Sequence, residues 1–210
     1  LPTLVSHNGD MVYNRSLFAE IGLPDPGFDW TTADLSSAVR KLTRDLDGDG
    51  VTDIWGVGGF ERLPTLAEFV WGAGGDLLTS DLQAHALGAP EARKVLEWIV
   101  DLVQRDVVDP VHDIWQSNFM KGKTGLHVGV GATWYGGFYS YAQKGLSIEE
   151  DLGRTLIPVD ADTGQRQLMA GSDAYMINSA SPHKELAWKA IRTLVRYRPE
   201  VMRMKHSQMT

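Results

Sequence analysis

The stretch Met11–Leu23 reads MVYNRSLFAEIGL and contains a short apolar strand followed by a helix. Asn14 precedes the helical part and is of the residue type that caps helices, because its side-chain oxygen accepts a backbone N–H. Apolar residues recur behind it at helical spacing: Leu17, Phe18 and Ile21. Gly22 is of the type that ends helices. We therefore predict a strand–helix unit here, preceded by a further strand and a turn that begin near Leu4.

The same alternation continues along the chain. Thr31 and Asp34 have the spacing of a capping box at the start of a helix. Pro64 and Pro90 suit the first turn of a helix, where the missing N–H of proline costs nothing. Further strands are predicted at Ile54–Phe60, Gly125–Val130, Thr155–Val159 and Ala174–Ile177. Strands that alternate with helices indicate an α/β fold.

Two helices carry the most regular apolar patterns. The stripe of the first consists of Ala92, Val95, Leu96, Ile99 and Val103. The second, with Ser181 as its predicted cap, carries Leu186, Ala187, Ala190, Ile191, Leu194 and Val195. Between them, the polar turn at Asp160–Arg166 is the plausible boundary between two parts of the chain.

The composition excludes several classes of protein. The 210 residues carry a formal net charge of −7, and the basic residues are spread along the chain, so we expect no binding to nucleic acid. The absence of cysteine excludes disulfides, thiol catalysis and a thiolate zinc site. No apolar run approaches the roughly 20 residues of a membrane helix, and residue 1 opens without a signal-peptide pattern. We expect no direct membrane insertion of this chain.

An acidic loop spans Asp45–Asp53 and has the spacing of a calcium-binding loop. Carboxylates stand at its first, third, fifth and ninth positions, with a glycine at the sixth and a backbone carbonyl at the seventh; the candidate ligands are Asp45, Asp47, Asp49, Val51 and Asp53. The twelfth position is Gly56, so the bidentate glutamate of an EF-hand is missing and the affinity should be modest. The loop predicts a structural Ca²⁺ site; an acidic turn without metal is the alternative.

Three separated stretches carry a family resemblance. They are Met11–Leu23 with the following Trp30–Thr31, the helix end Phe69–Asp76 (FVWGAGGD), and Gly171–Trp188. In this order they resemble the extracellular solute-binding proteins of carbohydrate ABC importers, the maltose-binding-protein-like family. The family's own pattern is longer at both ends, so we expect a fragment.

The resemblance implies a fold of the periplasmic-binding-protein type, an α/β lobe with a mixed sheet flanked by helices. In this family the ligand lies in a cleft between two lobes joined by crossing strands. Residues 1–165 would form the second lobe with a crossover strand, and residues 166–210 the strand and helix that return to the first lobe. The chain would thus provide one wall of the cleft and part of the hinge.

The implied function is the capture of a carbohydrate or similar polar solute, such as a polyol, for import. The implied partner is the membrane permease of an ABC importer. The implied location is extracytoplasmic, in the periplasm or on a cell-surface lipoprotein.

Candidate ligand-binding residues combine aromatic and polar groups, because sugars stack their C–H faces on aromatic planes and hydrogen-bond through their hydroxyls. The aromatic candidates are Trp134, Tyr135 and Trp71, and the position of Trp134 within the resemblance makes it the first choice. The polar candidates are His7 and Asn8 at the first crossover, Arg62 near the start of a helix, and Ser172 and Asp173 at the return strand.

Signatures of catalysis are missing from the sequence. It has no nucleophile elbow, zinc-protease motif, phosphate-binding loop or dinucleotide fingerprint. We therefore predict a binding protein without catalytic residues or catalytic cofactor. A carbohydrate-active enzyme domain, whose two carboxylates sequence alone does not reveal, is one alternative. A calcium-stabilised interaction module without a small ligand is another.

Overall fold

The computed structural model describes residues 2–7, 9–60, 62–111, 118–129 and 151–207; for residues 2–7, 172–173 and 198–207 it describes the backbone alone. The strands are β1 (Pro2–His7), β2 (Asp10–Asn14), β3 (Trp55–Gly58), β4 (Thr124–Val128), β5 (Leu152–Leu156) and β6 (Ala170–Ala174). The helices are α1 (Arg15–Glu20), α2 (Thr32–Leu42), α3 (Leu63–Gly72), α4 (Pro90–Gln104) and α5 (Lys184–Ser207).

The chain divides into two compact units. The larger unit consists of His7–Met169 and contains a four-stranded sheet; the smaller consists of Leu1–Ser6 and Ala170–Thr210 and contains the pairing of β1 with β6. The predicted assignment of residues 1–165 and 166–210 to two lobes stays a prediction. Among the described residues, no helix combines the length and the apolar content required to cross a bilayer.

The sheet of the larger unit is mixed, with the strand order β3-β4-β2-β5. β3 and β4 are parallel, and β2 runs antiparallel to both of its neighbours. In the register, Met11 of β2 faces Val128 of β4 and Thr155 of β5. The predicted α/β class with a mixed sheet flanked by helices is confirmed.

The predicted starts of α1 and α2 are confirmed in atomic detail. The side chain of Asn14 accepts a hydrogen bond from the backbone N–H of Leu17 at 3.1 Å. Thr31 and Asp34 form both bonds of the capping box, and α2 follows. These bonds satisfy N–H groups that the first helical turn leaves without partners.

The core lies between the sheet and the helices. Its fully buried members include Met11, Val57, Leu126 and Val128 from the sheet and Leu35, Val39, Leu42 and Leu102 from the helices. On α4, the buried face is centred on Ala92, Val95 and Leu102, whereas Val103 is 55% exposed. The predicted stripe was therefore too wide at its C-terminal end, where the helix reaches the margin of the core.

Two strands and the last helix differ from the prediction. β5 begins three residues earlier than predicted, and β6 ends at Ala174, where the predicted strand begins. α5 begins at Lys184, after a turn in which the Ser181 hydroxyl accepts a hydrogen bond from the N–H of His183. On α5, Ile191 is buried but Leu186 and Leu194 are exposed. The smaller unit therefore buries only part of the apolar face of α5.

Candidate functional site

Four glycines mark one end of the sheet, which we call the glycine edge: Gly9, Gly58, Gly59 and Gly129. The strand directions bring them together, because the ends of β3, β4 and β5 and the beginning of β2 share this edge. Ligands of open α/β sheets bind outside the carboxyl ends of the strands. The glycine edge is therefore the candidate site of the larger unit.

The turn after β3 requires glycine. Gly59 has φ +94°, and a Cβ at this position would lie 2.2 Å from the carbonyl oxygen of Val128. The backbone of β3 thus closes tightly on the end of β4. α3 begins four residues later, with Pro64 in its first turn, so the positive end of its helix dipole also lies near this edge.

Arg62 follows β3 in the chain and forms a hydrogen bond to the end of the parallel strand β4. It is the N-cap residue of α3, and its Nη1 donates a hydrogen bond to the carbonyl oxygen of Gly129 at 2.6 Å. Its side chain is partly exposed. Of the residues predicted to bind ligand, Arg62 is the one whose described side chain lies at the glycine edge.

Two buried carboxylates also lie at the glycine edge. Glu68 of α3 is 1% exposed, and its Oε1 accepts the backbone N–H of Met169 at 2.8 Å. The same oxygen would lie 3.4 Å from a Cβ at Gly9. Asp10, the first residue of β2, is 1% exposed and forms an ion pair with Arg154 of β5. Buried charges of this kind are retained where partners stabilise them.

A buried histidine lies directly behind the glycine edge. His127 of β4 is 3% exposed, and its Nδ1 is 3.0 Å from the carbonyl oxygen of Val128. Burial lowers the pKa of His127 to about 4, because the charged imidazolium would lose its hydration. The negative charge of Asp109 acts in the opposite direction and the positive charge of Arg62 in the same direction as burial.

Asp109 occupies the loop behind β3 and is 2% exposed. Its two carboxylate oxygens accept four hydrogen bonds of 2.9 to 3.0 Å, from the N–H of Val111, the N–H and Nδ2 of Asn118, and the hydroxyl of Thr124. These bonds replace the hydrogen bonds to water that the carboxylate loses on burial.

The other residues predicted to bind ligand are not seen at the glycine edge among the described side chains. Trp71 lies near the C-terminal end of α3, about 13 Å along the helix axis from Arg62, and its Nε1 donates to Asp76 at 3.1 Å. It is not at the glycine edge. Trp134, Tyr135 and Asn8 lie outside the described residues. The backbones of His7, Ser172 and Asp173 belong to β1 and β6, and their side chains are not described.

The acidic loop brings three carboxylates together. One oxygen from each of Asp45, Asp47 and Asp49 lies within 4.8 Å of the others, and all three side chains are exposed. Asp45 accepts the N–H of Gly48 at 2.7 Å and of Gly50 at 2.8 Å, and these bonds lower its pKa. Oxygen ligands in this arrangement suit a hard cation such as Ca²⁺.

The other two predicted calcium ligands close the loop. Asp53 accepts the N–H of Leu46 at 2.9 Å, and Val51 donates its N–H to Asp49 at 2.8 Å. The carboxylates therefore hold the loop in shape through backbone bonds. Calcium binding itself stays a prediction.

A cavity of about 210 Å³ lies between α2, α4 and the loop 160–162. Lys94 on its wall forms ion pairs with Asp160 at 3.1 Å and Asp162 at 2.7 Å. Trp98 donates its Nε1–H to the hydroxyl of Ser36 at 2.7 Å. These groups already bind one another within the wall, so we assign no ligand to the cavity.

Four residues of the candidate site were not predicted from the sequence: Asp10, Glu68, Asp109 and His127. Glu68 and His127 are polar residues in otherwise apolar segments, whereas Asp10 and Asp109 lie near other polar residues. A charged residue within a buried strand or on the buried face of a helix is unusual enough to mark a site. Which of them meet depends on the strand order, which the sequence does not provide.

Comparison with known proteins identifies a family. A family model for bacterial extracellular solute-binding proteins matches residues 1–196. A comparison with curated proteins finds no significant match.

Solved structures show the same fold. The chain is similar to an ABC transporter solute-binding protein from Thermotoga lettingae bound with α-D-tagatose, at a TM-score of 0.73 and 24% identity over 91% of this chain and 48% of that chain. It is also similar to the cyclic α-maltosyl-1,6-maltose binding protein from Arthrobacter globiformis, at a TM-score of 0.66 and 26% identity over 94% of this chain and 47% of that chain. A solute-binding protein from Agrobacterium radiobacter in complex with ribitol matches at a TM-score of 0.70 and 24% identity, over 93% of this chain and 48% of that chain. The chain thus has the periplasmic-binding-protein fold and spans about half the length of these proteins.

Proposed function

The chain belongs to the bacterial extracellular solute-binding proteins, and on this premise we propose that it forms part of a receptor that captures a carbohydrate or polyol for an ABC importer. The glycine edge is the observation that carries this proposal. There the closely approaching strand ends, the guanidinium of Arg62 and two buried carboxylates lie together. Such groups are suited to orienting hydroxyl groups at fixed positions.

The proposed ligand class is polyhydroxylated and small. Arg62 supplies N–H donors, and Asp10 and Glu68 supply carboxylate oxygens that stabilise donors around them. The solved relatives are described with α-D-tagatose, ribitol and a cyclic maltosyl-maltose, which share a dense array of hydroxyls. We extend this class to the present chain.

Aromatic stacking would complete the site. Trp71 lies at the opposite end of α3 from Arg62, with its indole N–H bound to Asp76. We propose Trp134 and Tyr135 as stacking residues, with Trp134 first, and keep Trp71 as a further proposed contact away from the glycine edge. His7 and Asn8 near the beginning of the chain, and Ser172 and Asp173 in the return strand, are proposed as polar contacts.

The activity of the whole receptor is also a proposal. We propose that two lobes close on the ligand, that the closed form binds a membrane permease, and that no bond is made or broken. Closure is favoured when the ligand makes more contacts in the closed state than in the open one. The extracytoplasmic location follows the family; a periplasmic form and a cell-surface lipoprotein are the two versions of it.

We also propose Ca²⁺ as a structural ion of the acidic loop. The support is the grouping of oxygens from Asp45, Asp47 and Asp49 within 4.8 Å. Bound there, the ion would neutralise adjacent carboxylates that otherwise repel one another. Asp53 and the carbonyl of Val51 are the further candidate ligands.

Thermal melting of the chain against α-D-tagatose, ribitol and maltotriose tests the proposed function, because a ligand that binds only the folded state raises Tm. A saturable increase with one of these compounds is expected. Chromatography of the recovered compound separates binding from catalysis. A compound that is consumed would indicate the enzyme alternative instead, and a set of flat melting curves would argue against the receptor.

A further inference from the structure

The His127 ring fills the space beneath the turn that follows β3. A Cβ at Gly58 would lie 3.1 Å from Cδ2 of His127, and a Cβ at Gly59 would lie 2.7 Å from Cε1 and 2.9 Å from Nδ1. The turn therefore requires glycine at residue 59, and a side chain at residue 58 would press on the imidazole. The ring and the turn form one packed unit, with Phe119 edge-on to the imidazole at 6.0 Å.

His127 also fixes the end of its own strand. The Val128 carbonyl oxygen can only accept a hydrogen bond, so Nδ1 of His127 carries the proton and donates to it at 3.0 Å. The next carbonyl along the chain, that of Gly129, accepts the bond from Arg62 at 2.6 Å. Two consecutive carbonyls of the strand end are thus bound, one by His127 and the next by Arg62.

Asp109 supports the arrangement from behind. Its backbone N–H donates to the carbonyl of Val57 at 2.7 Å, and its Cβ would lie 3.5 Å from a Cβ at Gly58. The four hydrogen bonds to its carboxylate hold the loop in one position. The last residues of β3 are therefore held between Asp109 on one side and His127 on the other.

We infer that His127, supported by Asp109, is a positioning residue of the ligand-binding wall: it holds the Val128–Gly129 backbone in the place where Arg62 binds it. The inference rests on the proposed function, since it assumes that the glycine edge contacts ligand. His127 itself is buried and would not touch the ligand. Its effect would reach the ligand through Arg62 and through the backbone of Gly58 and Gly59.

Nuclear magnetic resonance of the ¹⁵N-labelled chain tests this role without ligand. His127→Leu places an apolar side chain in the same part of the core and removes the donor to Val128. His127→Asn retains an N–H donor near the position of Nδ1. Leu42→Ala is the control, because Leu42 is fully buried and packs on Gly125 near the opposite end of β4. The signals to follow are the amides of Gly59 and Gly129 and the Nε–H of Arg62.

We expect His127→Leu to shift or broaden these three signals, His127→Asn to restore most of them, and Leu42→Ala to leave them at their original positions. Unchanged signals in His127→Leu, or equal changes in Leu42→Ala, would show that His127 is an ordinary core residue and would overturn the positioning role. Because the signals are measured without ligand, this result is independent of whether a sugar binds.

Affinity for maltotriose provides a second readout if the wild-type chain binds it. We expect at least a tenfold loss of affinity in His127→Leu and a smaller loss in His127→Asn. An affinity equal to that of the wild type, in a variant whose Arg62 signal has moved, would overturn the positioning role while leaving the receptor function intact.

Discussion

Gly153 of β5 lies opposite Tyr13 of β2, and a Cβ at Gly153 would lie 1.9 Å from Cζ of the tyrosine ring. Tyr13 is 3% exposed and packs on Phe18 with the ring centroids 5.3 Å apart. The ring therefore lies across the backbone of β5. A side chain at residue 153 would have to displace it.

Gly153→Ala should consequently lower the free energy of unfolding by about 1–3 kcal/mol, the usual cost of overpacking a core. Urea unfolding measures this change. Gly88→Ala is the matched control, because a Cβ at Gly88 would meet nothing within 4 Å. Equal stability of the two variants would show that Tyr13 repacks without cost.

The capping box of α2 gives a second prediction. Thr31→Ala removes the acceptor of the Asp34 N–H, and the loss of such a cap costs about 1 kcal/mol. Ser37→Ala, at an exposed position of the same helix, should change stability by less than about 0.5 kcal/mol. The comparison is made by urea unfolding, and a Thr31→Ala variant as stable as Ser37→Ala would contradict the prediction.

The buried His127 predicts how stability depends on pH. Because its pKa is lowered to about 4 in the folded chain, the unfolded chain binds more protons between pH 6.5 and pH 4. The free energy of unfolding should therefore fall as the pH falls through this range, by about 3 kcal/mol in total. The contribution is fully present above pH 6.5, where histidine is neutral in both states.

Urea unfolding of the wild type and of His127→Asn over this pH range measures the contribution of the histidine. Acidic residues lower stability in acid in both proteins, so the difference between the two isolates the histidine. Asp109 and Arg62 are the charged groups that act on it. Parallel pH profiles of the two proteins would contradict a buried neutral histidine.

The acidic loop predicts a dependence on calcium. Ca²⁺ should raise Tm of the wild type and chelator should reverse the increase, because the ion binds the folded loop more tightly than the unfolded chain. Asp47→Asn removes one candidate ligand charge and should abolish most of the increase. Asp29→Asn changes the net charge equally at an exposed site outside the loop and should respond like the wild type. A calcium response that survives Asp47→Asn would place the ion elsewhere.

Local signals in the sequence were sufficient for the elements that begin with a cap. Asn14 and Thr31 satisfy their helices through bonds that span three residues, so a short window of sequence contains both partners. The succession of the described strands and helices along the chain could be predicted from local patterns of this kind.

The candidate site could be predicted only in part. Arg62 binds Gly129 across 67 residues of chain, and Asp10 pairs with Arg154 across 144. Such contacts exist only once β3 lies beside β4 and β2 beside β5. The strand order that creates them is set by the packing of the whole unit.

Amide chemical shifts of the ¹⁵N-labelled chain during titration with α-D-tagatose, ribitol or maltotriose test whether the glycine edge binds a polyhydroxylated ligand. We expect saturable shifts that concentrate at Gly9, Gly59, Arg62 and Gly129. Arg62→Ala should remove them, while Arg93→Ala, at an exposed position on α4, should retain them. Shifts confined to residues remote from the glycine edge, or none with any of the three compounds, would contradict binding at this edge.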